Sequence, residues 1–171
     1  CTPELRPDWR DRIALMRQFS DMVSEATCRA ARHATQCVLE PERASRGSAL
    51  LAMRPILLGG DDLSVIIRAD LALDFTRSFL SEFEEQTKVL LAERLGFLEG
   101  LPERLTACAG IVYIGSSDPL HLALGLSEAL CKESKRLARH GLPPGSEMPS
   151  SLQIHRIGSS VHARWEDVLQ E

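Results

Sequence analysis

The sequence predicts an α+β domain on a βαββαβ plan whose first strand is missing from this chain. Three observations carry that prediction. Apolar residues recur at three- and four-residue steps through three long stretches, short runs of branched residues fall between them, and a glycine pair joins two of those runs. The first spacing is that of one helix face, and the short runs read as strands. The glycines supply the positive φ that a tight hairpin turn needs.

The elements follow in order. From Pro7 to Val38, Ile13, Met16, Phe19, Met22, Val23, Ala26, Ala30 and Ala34 mark one face of a long helix, with Pro7 acceptable in its first turn. Glu40 to Ser48 is polar, holds Pro41 and Gly47, and reads as a connecting loop. Met53 to Leu58 and Leu63 to Ile67 flank Gly59-Gly60-Asp61-Asp62 and read as a hairpin. Both arms are apolar at neighbouring positions, so helices should cover at least one of their faces.

Asp70 to Leu95 is a second amphipathic helix with Asp70 as its expected N-cap, and Gly96 to Pro102 breaks it. Leu105 to Ile114 is a strand of small and branched residues, too continuous for a solvent-facing edge. Gly115-Ser116-Ser117-Asp118 reads as a loop with a helix N-cap, and Pro119 to Arg139 as a helix ended by Gly141. Leu152 to Ile157 is the last strand, and Trp165 to Leu169 is a short closing helix or the start of something absent.

This α-β-β-α-β-α-β order is the βαββαβ ferredoxin-like plan with an extra helix and without its first strand. In that plan the first strand lies between the hairpin and the later strand. Its absence leaves two strands with unpaired backbone groups, which is costly. An upstream strand, or one from another chain, is therefore expected. The chain begins with Cys and reads as a piece of a longer protein.

Composition narrows the classes. The 171 residues are 44% hydrophobic and 26% charged, which fits one domain, residues 1–171, with an unstapled core. No apolar run approaches the ~20 residues that cross a bilayer. Twenty Lys and Arg against 24 Asp and Glu give a net charge of −4, against a broadly basic nucleic-acid-binding face. That balance leaves room for a phosphorylated ligand held by a few placed cations. Only three cations are Lys: Lys88, Lys132 and Lys135. Five cysteines with no CxxC fit the reduced thiols of a cytoplasm better than a secreted disulfide framework.

The sharpest motif is Gly59-Gly60-Asp61-Asp62. Gly and Asp are ordinary turn residues, so composition alone explains it as a turn. The functional reading starts from two adjacent carboxylates beside residues without side chains. Together they leave room for a bulky anion next to a divalent metal, and Mg²⁺ is typically held by one or two carboxylates plus substrate phosphates. Alternation along a strand makes one of the two Asp residues the direct ligand.

Arg54 to Leu63 around this motif resembles the GGDD hairpin of the second palm domain of Cas10/Cmr2 proteins, the large subunits of type III CRISPR effector complexes. That palm is related to GGDEF cyclases and polymerase palms. Leu105 to Val112 looks like the family's strand after the second palm helix. Ser127 to Lys135 is similar to its helix ending in an Ala-Lys-like pair, with Ser134 before the Lys here. Leu152 to Ile157 resembles its final strand.

The resemblance implies a ferredoxin-like palm that binds ATP with Mg²⁺ or Mn²⁺ and makes cyclic oligoadenylate in antiviral defence. It assigns Asp61 and Asp62 to metal and catalysis, Gly59 and Gly60 to the backbone beside the nucleotide, and Lys135, then Lys132, to the triphosphate. It also implies partners: a second palm domain or a second copy, effector subunits, and guide RNA through the complex. The chain departs from the pattern in lacking the first-strand metal carboxylate and the HD nuclease signature. The alternative is therefore a non-catalytic structural or nucleotide-sensing palm module.

Other candidates carry less. His33 and Cys37 make half a zinc site at most, and with Cys28 they read as helix-packing residues. Cys108 and Cys131 read as core thiols. No G-x-S-x-G elbow supports a serine hydrolase. His155 reads as a half-buried strand residue, Asp70 and Asp74 as helix-start residues, and Lys132, Lys135, Arg136 and Arg139 as phosphate binders or a solvated helix end.

Overall fold

A computed structural model describes residues 9–143 and 145–158. The chain runs α1 (Trp9–Ala34), a π-helical turn (Thr35–Leu39), α2 (Glu40–Ser45), β1 (Met53–Gly59), β2 (Asp62–Ile67), α3 (Ala69–Leu95), β3 (Cys108–Tyr113), α4 (Leu120–Arg139) and β4 (Ser151–Arg156). This is the mixed α+β palm-like order expected. Trp165–Leu169 and Cys1 lie outside the described residues.

The helix over residues 7–38 does not end in a loop at Glu40. It widens by one residue and continues to Ser45. Pro41 has no N–H and its ring clashes with a carbonyl four residues back, so an undisturbed α-helix tolerates it poorly. The π turn just before it absorbs that clash: the Glu40 N–H donates to Thr35 O, five residues back. The 40–48 loop expectation is corrected accordingly.

Helices α1 and α3 pack antiparallel, as three contacts show. Gln18 donates to Arg94 O, Arg29 to Gln86 Oε1, and Ala34 clusters with Phe75. Met22, Val23, Ala26 and Ala30 bury against Phe83, Leu90, Leu91 and Leu95. Ile13 and Met16 share the predicted face but stand 51% and 71% exposed. Gln18 already lies opposite Arg94 near the end of α3, so the first turns of α1 project past their partner.

The strands form two separate pairs. β1 and β2 are antiparallel, with a register shift between Pro55 and Leu57; β3 and β4 are parallel. No ladder joins β2 to β3 among the described residues. The described strands therefore form two two-stranded sheets, where the βαββαβ plan expects a single one. Leu63, Val65 and Ile67 of β2 pack on the Ala34–Leu39–Phe75 cluster. β1 is not covered as expected: Ile56, Leu57 and Leu58 are exposed.

Two predicted caps differ. The N-cap of α3 is Arg68, and Asp70 sits in the first turn bonded to the Arg68 guanidinium. The N-cap of α4 is Pro119, while Asp118 closes its own loop by accepting from the Gly115 N–H at 2.7 Å. No helix among the described residues is long and apolar enough to cross a membrane.

Candidate functional site

Gly60 and Asp61 form the two-residue turn between β1 and β2, with Gly60 at φ +60°. Gly59 pairs with Asp62 as the last rung of the ladder. A Cβ built on either Gly59 or Gly60 meets nothing within 4 Å, so open space lies beyond the hairpin tip. Asp61 and Asp62 are exposed, and neither carboxylate is engaged by a salt bridge among the described residues. Two free carboxylates at an open glycine turn suit a hard, oxygen-seeking cation that keeps other ligands on its remaining positions.

The two carboxylates face different surroundings. Asp61 lines a cavity of about 670 Å³, within the usual range for small-molecule sites. Phe19 and Val23 of α1 and Phe83 of α3 give it an apolar floor; Arg104, Leu105, Thr106 and the segment Gly145–Met148 complete the wall. Asp62 is not among the residues lining that cavity. Burial raises the Cys131 thiol above its ordinary value, Cys108 adds to the rise, Lys135 and Lys132 oppose it, and Asp62 adds to it from the hairpin. Both lysines are exposed. Neither lysine is among the residues lining the cavity of Asp61.

Asp61 at the hairpin tip and Thr106, ahead of β3, line the same cavity. The model of the Cas10/Cmr2 second palm domain matches residues 9–142, well over half of the chain. The chain belongs to this Cas10/Cmr2 family. No curated protein matches it.

The match takes in the hairpin, α3, β3 and α4 of this Cas10/Cmr2 palm, while β4 lies beyond it. β3 and α4 are held by close packing. A Cβ on Gly110 would sit 2.1 Å from Ser127 O, so only glycine lets the strand approach the helix. Cys131 Sγ donates to Cys108 O at 3.1 Å. Ser134, where the family-like pattern has Ala, is buried and its hydroxyl meets that of Ser151 at 2.7 Å. These contacts tie the lysine-bearing end of α4 to the start of β4.

The remaining candidates are placed as follows. Cys28 and Cys37 are exposed and are not packing residues. Cys37 Sγ lies 3.4 Å from His33 Nε2, on a helix flank open to solvent. No group of three His, Cys, Asp or Glu side chains with metal-holding geometry occurs among the described residues. His155 is half-buried opposite Val112 in the β3–β4 ladder. Sequence reasoning attached no role to residues 100–106 or 145–148, because neither segment carries a motif and only folding brings them beside Asp61.

Proposed function

We propose that this Cas10/Cmr2 palm binds ATP at the hairpin tip and serves nucleotidyl transfer in type III CRISPR defence, in the cytoplasm. The observation that carries the reading is the open Gly59-Gly60-Asp61-Asp62 turn, in which Asp61 lines a cavity of nucleotide size and Asp62 is its exposed neighbour. Asp61 and Asp62 would hold Mg²⁺ or Mn²⁺, Gly59 and Gly60 would let the phosphates approach the backbone, and Lys135, with Lys132, would meet the triphosphate. A divalent cation held by Asp61 and Asp62 would supply charge compensation at the phosphates and acidify the attacking 3′-hydroxyl. The protein's part is positioning and electrostatic compensation. Family resemblance extends this to a cyclic oligoadenylate product, with a second palm or second copy and the effector subunits, with their guide RNA, as partners.

A strand inserted between β2 and β3 belongs to this reading. It brings the further carboxylate that two metal ions need. A second reading, a structural or nucleotide-sensing palm, is favoured by the split sheet and by the two-carboxylate donor set. Calorimetric titration of ATP with Mn²⁺ tests the site, run beside Asp61→Ala/Asp62→Ala. Saturable binding that the variant loses supports the hairpin site. Binding without turnover when the strand is supplied supports the sensing module. A folded chain that takes up no ATP removes the nucleotide reading.

A further inference from the structure

Arg104 is the cation that lines the cavity beside Asp61. Among the described residues its Nε is buried and makes no hydrogen bond, although Glu84 Oε2 lies 3.2 Å away as an ion-pair partner. None of its guanidinium N–H groups donates a hydrogen bond to a described residue. A guanidinium carries five donors in a rigid fork matched to phosphate oxygens. The loop that bears it is held in place: Leu105 N–H donates to Thr87 Oγ1 at 3.0 Å, fixing the residue next to Arg104 onto α3. Asp61 and Glu147 also line the cavity, so a polyphosphate entering it needs a compensating charge from the wall.

We infer that Arg104 grips the phosphate tail of the nucleotide in the cavity that Asp61 also lines, as a binding residue that no motif marks. The inference rests on the nucleotide reading above and deepens it. The lysines of α4 neutralise charge, whereas Arg104 recognises phosphate geometry within the cavity. Glu84 sets the direction of the fork and competes with the phosphate for it.

The experiment is calorimetry on the full chain with Mn²⁺ and three probes: ATP, inorganic tripolyphosphate and adenosine. The proteins are wild type, Arg104→Gln, Glu84→Gln and Asp61→Ala. Loss of one charge-assisted contact weakens ATP and tripolyphosphate about tenfold or more in Arg104→Gln. Adenosine binding stays the same. Glu84→Gln tightens ATP by removing the competing carboxylate, and it decides the matter if circular dichroism shows Arg104→Gln unfolded. Arg104→Gln binding ATP like wild type, while Asp61→Ala loses it, overturns the inference and leaves the nucleotide reading intact. Unchanged ATP affinity in Glu84→Gln, where Arg104→Gln does not fold, overturns it as well. No saturable ATP binding by wild type overturns both together.

Discussion

Thr87 shows how much one buried hydroxyl carries. It is fully buried in α3, donates to Glu84 O at 3.0 Å and accepts the Leu105 N–H at 3.0 Å. Thr87→Val keeps the shape and strands that N–H. We expect it to cost about 1–3 kcal/mol, read as a lower denaturant midpoint. Gly110→Ala should cost a similar ~1–3 kcal/mol, because its Cβ would collide with Ser127 O on the α4 backbone. A variant melting with wild type would place more slack between β3 and α4 than that distance allows. At this scale, Asp61, Asp62 and the two glycines were legible because a turn motif is local. Arg104 was not, since nothing in Pro102-Glu103-Arg104-Leu105 distinguishes it until α3 folds beneath it.

Among the elements, α1 and α3 are joined by an electrostatic clasp as well as by their apolar seam. Glu25 meets Arg94 at 2.5 Å across the helices and Arg29 at 2.5 Å along its own. The Arg94 hydrogen bond holds the Glu25 carboxyl below the usual glutamate value of 4.5. Glu42 is lowered in the same way by Arg68, which links α2 to the start of α3. A carboxylate with a lowered folded pKa stabilises the fold above its unfolded pKa and loses that contribution as pH falls through the lowered value. Thermal melting should therefore weaken as pH falls below 4.5, and Glu25→Gln should flatten part of that slope. An identical pH profile in Glu25→Gln would mean the clasp contributes nothing to folding. The elements themselves were readable from apolar spacing, within a few residues at each end. The π turn and α2 were not: Pro41 signals a break, and only the i−5 bond of Glu40 shows the helix passing it.

At the scale of the whole molecule, the split sheet governs behaviour. Each strand has a ladder on one edge only among the described residues. Amide exchange over 62–67 and 108–113 should be rapid at the unpaired edges, and should slow when a strand pairs there, as in an assembled effector complex. Equal protection in both forms would show that no strand pairs there. The α-β-β-α-β-α-β order and the hairpin motif were determined by the sequence alone, because periodicity, glycine turns and element order are local along the chain. Tertiary structure decided which face of the hairpin meets what. It set Asp61 on one cavity with Phe19, Phe83 and Arg104. It also left Ile13 and Met16 bare, although they carry the same pattern as the buried Met22 and Ala26. The physical reason is that a pattern specifies which side of an element is apolar, whereas burial and charge depend on the length and position of the partner packed against it.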